Sequence, residues 1–402
     1  MTIDAGQWKR ALAMLAPVVS NKTSFPILGS VIFKSDAARG VFTLTASDGE
    51  TWITLDCVDK DGKPWVHVIE DDAKDRFAEV AIPFAALKEA VGLLPGGQVL
   101  QVTFDGDKQV MSVNYGIGEL DMSWEHADTF PQPPAVAAKG EDGALCRFKM
   151  AAEQLLPMMA GVVESAADDE LRPVMNAVCL DVFHDKLVVV GTDGRQLYKD
   201  TVETGVGGDW LEYAAFAPGQ CAGLLVTKRA RKVLAGAVTE GELTVAADQR
   251  LCEFRADRCR VVLRQIDGRY PNYESVIPKG EYSVTVSREA LRNALRRMQI
   301  SADENSQQAA LRREGQEFVI QATNLDFGRS GYEHVPIQET DAFLPEGFRI
   351  GFKIGIAIGI LDRIQTPNVV LVFSDAKSAF LYRPEDVKSS LLMLQMPMVL
   401  ND

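Results

Sequence analysis

Hydrophobic positions repeat at helical spacing in six segments of the chain and alternate in the segments between them. In 287–300, Leu291, Leu295 and Met298 recur at intervals of three and four residues, which places them on one face of a helix. The same reading predicts helices in 8–19, 82–94, 149–163, 226–238 and 353–364, and short strands in stretches such as 99–113, 243–254 and 369–381. Two helices with a majority of strands, three times over, predict an α+β fold whose helices lie on one face of antiparallel sheets.

A weak threefold repeat accompanies this pattern. Each third of the chain has a polar turn after its first strands, and a proline landmark follows 83, 78 or 73 residues later: Asp48 to Pro131, Asp193 to Pro271, Asn324 to Pro397. Near-equal spacing of this kind is typical of internal repeats. Proline-rich and polar stretches at 128–134 and 268–278 are boundary signals. They predict three similar domains, 1–138, 139–278 and 279–402.

The overall charge and the cysteines narrow the class of protein. A formal net charge of −14 argues against a generic basic nucleic-acid coat and still permits a local basic surface. The six cysteines include no C-x-x-C pair and mostly lie in apolar strand-like runs, which predicts buried, reduced thiols and a cytoplasmic setting. We expect no export signal, and the apolar stretch 354–360 is too short to span a bilayer.

Signatures of catalysis are missing from the sequence. None of the four histidines has a second ligand at metal spacing, and there is no phosphate-binding loop, nucleophile elbow or zinc-protease motif. Asp48 and Asp193 are each followed by glycine between two strand patterns, which is typical of hairpin turns. We therefore expect no catalytic residues, metal or cofactor. A metabolic α+β enzyme with a cryptic site is a remote alternative.

Positive charge is concentrated in the predicted helices. Over residues 7–20, 82–94, 149–164, 226–238, 287–300 and 353–364, Lys and Arg exceed Asp and Glu by nine, while the rest of the chain carries −23. The run Lys228, Arg229, Arg231 and Lys232 has no acid in its window to pair with. In the 287–300 window, Arg288, Arg292 and Arg296 form a stripe at successive i, i+4 positions, with Arg297 beside them. Like charges at i, i+4 repel. A nucleic-acid phosphate backbone would neutralise them, so both clusters are predicted to bind DNA.

Several landmarks together resemble the bacterial sliding clamps, the beta subunits of DNA polymerase III, over essentially the whole chain. The segments that carry the resemblance are 22–28 (Lys-Thr-Ser-Phe-Pro-Ile-Leu), 45–50 (Thr-Ala-Ser-Asp-Gly-Glu), 171–176 (Leu-Arg-Pro-Val-Met-Asn), 191–194 (Gly-Thr-Asp-Gly), 267–273 (Asp-Gly-Arg-Tyr-Pro-Asn-Tyr), 350–352 (Ile-Gly-Phe) and 396–398 (Met-Pro-Met). The resemblance implies a processivity factor without catalytic activity. It also implies a head-to-tail homodimer that closes into a ring, with helices around double-stranded DNA and sequence-independent phosphate contacts. Lys22 and Arg172 fall on matching DNA-contact positions.

A second implied property is a pocket between the central and C-terminal domains that binds short linear motifs. The implied partners are the DNA polymerase III alpha subunit, the clamp loader delta subunit, and other polymerases and repair proteins. Matching positions are Met175, Thr192, Gly194, Leu197, Pro271, Val276, Met396, Pro397, Met398 and Leu400. An apolar, methionine-rich surface suits Leu and Phe anchors from different partners. Leu197 and Val276, taken alone, are better explained as core residues.

The chain departs from the clamp pattern at several positions. Arg195-Gln196 stands where His-Arg is usual, Lys353 replaces an expected Asn, and Ile356 an expected Tyr. Pro173-Val174 replaces an aromatic pair, and the segment 59–79 is longer than expected, as for an inserted hairpin or loop. These differences leave open an accessory or mobile-element clamp used in repair.

Overall fold

The computed structural model describes residues 1–19, 25–36, 39–68, 79–204, 210–238, 240–340, 344–345, 347–386 and 389–400. The chain forms two compact units. The first unit combines Met1–Pro157 with Gly207–Ile266, and the second combines Met158–Val206 with Asp267–Asp402.

The order of elements repeats three times, as strand, helix, four strands, helix and three strands, with extra short strands in the first two repeats. The first repeat comprises β1 Thr2–Asp4, α1 Ala5–Leu15, β2 Ser30–Asp36, β3 Val41–Ser47, β4 Thr51–Asp56, β5 Val66–His67, β6 Glu79–Pro83, α2 Phe84–Leu93, β7 Val99–Asp105, β8 Val110–Asn114, β9 Glu119–Ser123 and β10 Glu125–His126. The second comprises β11 Ala144–Ala151, α3 Ala152–Val162, β12 Ala177–Val182, β13 Lys186–Thr192, β14 Gln196–Glu203, β15 Leu211–Ala214, β16 Ala222–Thr227, α4 Lys228–Ala237, β17 Glu242–Asp248, β18 Leu251–Ala256 and β19 Cys259–Arg264. The third comprises β20 Tyr282–Ser287, α5 Arg288–Gln299, β21 Gln308–Glu314, β22 Glu317–Asn324, β23 Arg329–Thr340, β24 Arg349–Lys353, α6 Ile354–Leu361, β25 Asn368–Phe373, β26 Phe380–Pro384 and β27 Leu392–Gln395.

Short polar side chains set the starts of several helices. Every α-helix in the described ranges follows a strand directly. Asp4 accepts a hydrogen bond from the Gln7 backbone N–H at the start of α1, and Ser287 caps α5 in the same way. Such caps satisfy N–H groups that have no partner inside the helix. All six predicted helices are confirmed, and so is the repeat.

The three predicted turns are also confirmed, and each is held by its acid or amide side chain. Asp48 Oδ1 accepts from the backbone N–H groups of Glu50 and Thr51. Asp193 makes the equivalent pair of bonds, and Asn324 accepts one from Phe327. These side chains replace the backbone hydrogen bonds that a reversing chain loses.

The first unit contains two antiparallel sheets. One has the strand order β5-β1-β7-β8-β9, and the other β10-β6-β2-β3-β4-β19-β18-β17-β11-β15. The second sheet is continuous because β4 pairs with β19, with Trp52 opposite Val262. Leu12 and Leu15 of α1 and Leu87 of α2 are buried, as the helical spacing of their apolar residues predicts.

The second unit contains the strand order β12-β13-β14-β27-β26-β25-β20-β23-β22-β21-β24. Its continuity depends on β27, which pairs with β14 on one side and β26 on the other. Helices α5 and α6 pack together, and α5 buries Leu291, Ala294, Leu295 and Met298.

The boundaries of the two units do not follow the predicted central domain, 139–278. Part of this domain belongs to each unit. The physical reason is strand pairing, since β4 with β19 and β14 with β27 continue a sheet from one third of the chain into another. The three-domain division remains a prediction.

The cysteines mostly lie in the core. Cys57, Cys146, Cys179, Cys252 and Cys259 are buried and Cys221 is exposed, and none forms a disulfide. Burial raises the pKa of the Cys146 thiol to about 12, so it stays protonated and unreactive. In the described ranges, no helix combines the length and the hydropathy needed to cross a membrane.

Candidate functional site

The C-terminal tail is held on the second unit by backbone hydrogen bonds. The Met396 N–H donates to the Arg195 carbonyl at 2.8 Å, and the Met398 N–H donates to the Gly351 carbonyl, also at 2.8 Å. A Cβ atom on residue 351 would stand 2.5 Å from the Met398 carbonyl oxygen. Only glycine therefore permits this close approach of the tail.

Two further close approaches connect segments that carry other predicted peptide-binding residues. A Cβ on Gly194 would meet Met175 Cε at 3.3 Å, and one on Gly268 would meet Val174 at 2.7 Å. These contacts link the turn 192–196 to the 3-10 helix Pro173–Asn176 and to the segment 267–278. We call the surface formed by Met175, 192–196, 271–276 and 395–400 the tail surface.

Exposure differs among the tail-surface residues. Met175, Met396, Pro397, Met398 and Leu400 are partly buried, while Gly194, Pro271 and Val276 are exposed. Leu197 is only 1% exposed and is a core residue, as its position in β14 requires. Thr192 is buried, and its hydroxyl donates to the Gln196 carbonyl and accepts from the Gly194 N–H. The expectation that Val276 is core is wrong, because its side chain is 43% exposed.

A buried hydrogen bond fixes the segment that carries Pro271 and Val276. The Tyr273 hydroxyl donates to Asp181 Oδ2 at 2.6 Å, and Tyr273 is 8% exposed. Burial raises the pKa of Asp181, an effect that this hydrogen bond partly offsets. The neighbouring Glu274 carboxylate accepts from Lys199 Nζ at 2.5 Å. Pro271 and Val276 are thus carried on an anchored segment.

The sequence analysis did not identify two residues that hold the tail by hydrogen bonds, Gln395 and Gln308. Gln395 is fully buried, and its Nε2 donates to the Lys353 carbonyl at 2.8 Å. Gln308 Nε2 donates to the Val399 carbonyl at 2.6 Å. An amide in an otherwise apolar strand, such as Gln395 in β27, is the signal that could have identified one of them.

The basic run in α4 has an acidic partner outside its own helix, contrary to the sequence expectation. Arg229 Nη1 donates to Asp48, and its Nε and Nη2 donate to the Pro17 carbonyl. Arg229 therefore joins α4 to the end of α1 and to the turn after β3. Lys232 is exposed, Arg231 is partly buried, and neither forms an ion pair within the described part of the chain.

Three of the four arginines in α5 are also engaged within the second unit. Arg292 pairs with Asp362, Arg297 pairs with Glu333, and Arg288 Nε donates to the Thr366 carbonyl at 3.1 Å. Their mutual repulsion is thus relieved by groups from β23 and from the segment that follows α6. Arg296 is exposed and has no ion pair with a described residue.

The structure describes only one of the two DNA-contact positions taken from the clamp resemblance. Arg172 is exposed, and its Nε donates to Asp169 at 2.8 Å. Lys22 lies outside the described residues. Residues 69–78 of the segment 59–79 lie outside the described residues. Val58 and Pro64 form a bridge and β5 pairs with β1, so the described part includes a hairpin. That the segment is an insertion stays a prediction.

Four large apolar side chains are exposed at the end of α5 and along the β22–β23 hairpin, and we call this set of residues the apolar corner. Ile300, Leu325, Phe327 and Tyr332 have exposed fractions of 69, 88, 60 and 67%. A Cβ on Gly331 would meet Met298 and Ser301 at 3.2 and 3.1 Å, which brings β23 against α5 here. Clusters of large exposed apolar side chains mark interaction surfaces.

Metal-ligating side chains do not cluster in the part of the chain described. Within these ranges, no three His, Cys, Asp or Glu side chains come together as a metal site. A cleft of about 380 Å³ lies in the first unit and is lined by Arg10, Met14, Asp56, Trp65 and Arg258 among others.

Comparison with known proteins gives a consistent result. The pattern of the family "DNA polymerase III beta subunit, C-terminal domain" matches residues 274–398. The beta sliding clamp of Pseudomonas aeruginosa is 24% identical over 400 residues, which cover 99% of both chains. That of Synechococcus elongatus is 24% identical over 82% of this chain and 81% of its own. The chain is thus similar to bacterial sliding clamps along its length, and its residues 274–398 match the C-terminal domain of the DNA polymerase III beta subunit.

Solved structures of sliding clamps share the fold along the full chain. The DNA polymerase III subunit beta of Pseudomonas aeruginosa matches with a TM-score of 0.84, at 23% identity and with 100% of both chains covered. The beta subunit of Thermotoga maritima matches with a TM-score of 0.81, at 23% identity, covering 100% of this chain and 99% of the other. The α+β clamp fold predicted from the sequence is therefore confirmed.

Proposed function

We propose that this chain is a DNA polymerase processivity factor, a sliding clamp that encircles duplex DNA and has no catalytic activity of its own. The observation that supports this function most is the likeness to clamps over the whole chain, in sequence as well as fold. We further propose that it acts in the cytoplasm on the nucleoid, as a head-to-tail homodimeric ring.

The proposed DNA contacts begin with three cations that form no ion pair with a described residue, Lys232 and Arg231 in α4 and Arg296 in α5. Arg172 is a further contact, because it is exposed although its Nε donates to Asp169. Lys228 belongs to the same proposed surface, as does Lys22 by its position in the sequence. Arg229, Arg288, Arg292 and Arg297 act chiefly by holding the helices in place. Phosphate contacts of this kind are salt-sensitive and independent of base sequence.

The apolar corner of the second unit is the proposed self-association surface. Its four large side chains are exposed in the single chain, and their burial against another copy would be favourable at roughly 25 cal/mol per Å². A head-to-tail contact pairs this surface of one copy with a different surface of the next copy.

The tail surface is the proposed docking site for linear motifs of the polymerase alpha subunit, the clamp loader delta subunit and other DNA-processing proteins. Its methionines adapt to different apolar anchors. Gly351, Gln395 and Gln308 hold the tail in position, so the docking site is largely formed before a partner binds.

The test is topological retention on DNA. Light scattering should give a species of about twice 44.0 kDa. After loading onto a nicked circular plasmid the protein should stay bound, and it should leave when a restriction enzyme linearises the plasmid. Equal retention on circular and linear DNA would contradict encirclement.

An accessory clamp is the second candidate, favoured by the departures at Arg195, Gln196, Lys353 and Ile356. Such a clamp would dock a narrower set of partners. Replacement of the host's main clamp gene with this one separates the candidates, because a main clamp sustains chromosome replication and an accessory clamp does not.

A further inference from the structure

The cleft in the first unit is built from both the first and the second repeat. Four residues of α1 line it at intervals typical of one helix face: Gln7, Arg10, Ala11 and Met14. The rest of its lining comes from the end of β4, the segment 58–65, Ala237 at the end of α4 and Arg258 in the β18–β19 turn. Its volume of about 380 Å³ falls within the range of about 300–1,000 Å³ that is usual for small-ligand pockets.

Hydrogen bonds fix the walls of this cleft. The Asp59 carboxylate accepts from the backbone N–H groups of Asp61 and Lys63, each at 2.9 Å. The Asp56 N–H donates to the Arg258 carbonyl at 2.9 Å, which joins the end of β4 to the β18–β19 turn. Helix α1 also packs against α4. The cleft is therefore a preformed feature of the fold, and a ligand need not order it.

The buried part of the lining is apolar. Leu55 and Trp65 are 4% and 7% exposed, and Met14 is partly buried. Burial of an apolar ring in the cleft would be favourable at roughly 25 cal/mol per Å². A methionine beside an aromatic residue adapts readily to the shape of such a ring.

Positive charge lies in the same cleft. Arg10 and Lys60 are exposed and Arg258 is partly buried. None of these three cations forms an ion pair with any residue that the structure describes. Their guanidinium and ammonium groups are therefore available to an external anion.

The acids of the cleft compensate this charge incompletely. Asp56 accepts from Arg39 through both carboxylate oxygens, and Asp59 Oδ1 holds the turn after β4. Asp61 is exposed and offsets one cation. With Arg39 included, four cations and three acids lie in or beside the cleft, although the whole chain carries −14. The cleft is thus a local positive site on an acidic protein, which favours an anionic ligand.

We propose that this cleft binds a small organic anion, an apolar ring that carries a carboxylate, phosphate or sulfonate group. The ring lies against Trp65 and Met14, and Arg10 and Arg258 bind the anionic group. Guanidinium groups donate paired hydrogen bonds to such oxygens. The apolar lining distinguishes the cleft from a DNA-binding surface, since a duplex backbone has no apolar group to fill it. The site is also independent of the tail surface, which belongs to the second unit.

Two fluorescent probes test the site. 8-Anilinonaphthalene-1-sulfonate has the required ring and charge, and N-phenyl-1-naphthylamine has the same ring system without the sulfonate. In the full-length variant Arg10→Gln with Arg258→Gln, the Kd of the sulfonate should rise about three- to tenfold, the range expected for two exposed ion pairs. The Kd of the neutral probe should stay unchanged. Met14→Asp should raise both Kd values, because it places a charge in the apolar lining.

A control variant and a set of competitors complete the test. Lys139→Gln with Arg250→Gln removes two exposed positive charges from the first unit outside the cleft, and the Kd of the sulfonate should not change. 1-Naphthyl phosphate and 1-naphthoate should displace the sulfonate at lower concentrations than the neutral 1-naphthol. The more effective of the two anions identifies the group that the site prefers.

The proposal is overturned if the sulfonate binds the Arg10 and Arg258 variant with an unchanged Kd, or if the control variant weakens binding equally. Displacement of the sulfonate by a short DNA duplex at lower concentration than 1-naphthyl phosphate would assign the cations to nucleic-acid binding instead. Far-UV circular dichroism verifies the fold of each variant. Met14→Asp keeps all the cations, so it tests the cleft independently of the charge variant.

Discussion

The Tyr273 hydroxyl donates a 2.6 Å hydrogen bond to Asp181, and this contact joins the segment 267–278 to strand β12. Pro271 lies two residues before Tyr273 and Val276 lies three after it. A buried contact between a phenol and a carboxyl thus positions two exposed residues of the tail surface.

Tyr273→Phe should destabilise the protein by about 1–3 kcal/mol, the usual cost of leaving a buried acceptor without its donor. Urea unfolding followed by far-UV circular dichroism measures the change. Asp181→Asn is the matched control, because the Asn side-chain oxygen still accepts from the phenol. In the Asp181→Leu background, Tyr273→Phe should have little effect, and an unchanged loss there would show that the hydrogen bond is not its source.

The same pair predicts a pH dependence. Because burial raises the pKa of Asp181 in the folded state above its ordinary value of 3.8, the folded protein holds this proton more tightly than the unfolded chain does. The resulting stabilisation is complete below pH 3.8 and is lost as pH rises through the raised pKa. The stability of Asp181→Asn relative to the unmodified protein should therefore increase from pH 3.5 to pH 7, as urea midpoints would show.

Arg229→Ala should cost about 1–3 kcal/mol of stability, because Asp48 and the Pro17 carbonyl then lose a charged donor. Lys232→Ala, on the exposed face of the same helix, should change the free energy of unfolding by less than about 0.5 kcal/mol. Thermal unfolding of the two variants provides the comparison. Equal losses of stability would indicate that the contacts of Arg229 with Asp48 and Pro17 do not stabilise the fold.

The difference between Arg229 and Lys232 in α4 shows which features the sequence alone could not predict. The helix was predictable, because its apolar spacing is a local property. The partner of Arg229 was not, because Asp48 is 181 residues distant in sequence. In α5, likewise, the arginine stripe was visible in the sequence, whereas Asp362 and Glu333 approach it only after folding.

The tail surface was predictable to a similar degree. Met396, Pro397 and Met398 stood out through their resemblance to the clamp pattern, and the fold bonds Met396 to Arg195, the residue after Gly194. The roles of Gly351 and Gln308 depend on close approach of separate strands. No local spacing in the sequence encodes that approach.

Lys232→Glu and Arg296→Glu should each shorten retention on nicked circular DNA without loss of stability. If each residue contacts one phosphate, the slope of log retention against log salt concentration should become less steep by about one unit for each lost contact. A titration with NaCl from 50 to 300 mM measures it. Lys186→Glu carries the same charge change on a strand and should leave retention unaltered, and an equal effect there would point to net charge instead.

Leu325→Asp combined with Phe327→Asp should convert the dimer to a monomer, because two charges would then replace exposed apolar side chains at the proposed contact. Light scattering at micromolar concentration distinguishes the two masses. Leu93→Asp, at an 84% exposed position in the first unit, is the control and should remain dimeric. A double variant that stays dimeric would remove the apolar corner from the interface.

Met396→Ala with Met398→Ala should abolish stimulation of the polymerase while leaving the dimer intact. Both side chains are partly buried on the tail surface, and their backbone N–H groups, which hold the tail to Arg195 and Gly351, are kept in the variant. The loss therefore reports the apolar contact with the partner and not displacement of the tail. Primer extension on singly primed circular DNA, with and without loader, measures stimulation.

A control for this variant exists in the tail itself. Val399 is 86% exposed, and only its carbonyl is engaged, by Gln308. Val399→Ala should therefore preserve stimulation. If the methionine variant stimulates the polymerase as well as Val399→Ala does, docking does not use the methionines, and the motif site must lie elsewhere on the second unit or on the first.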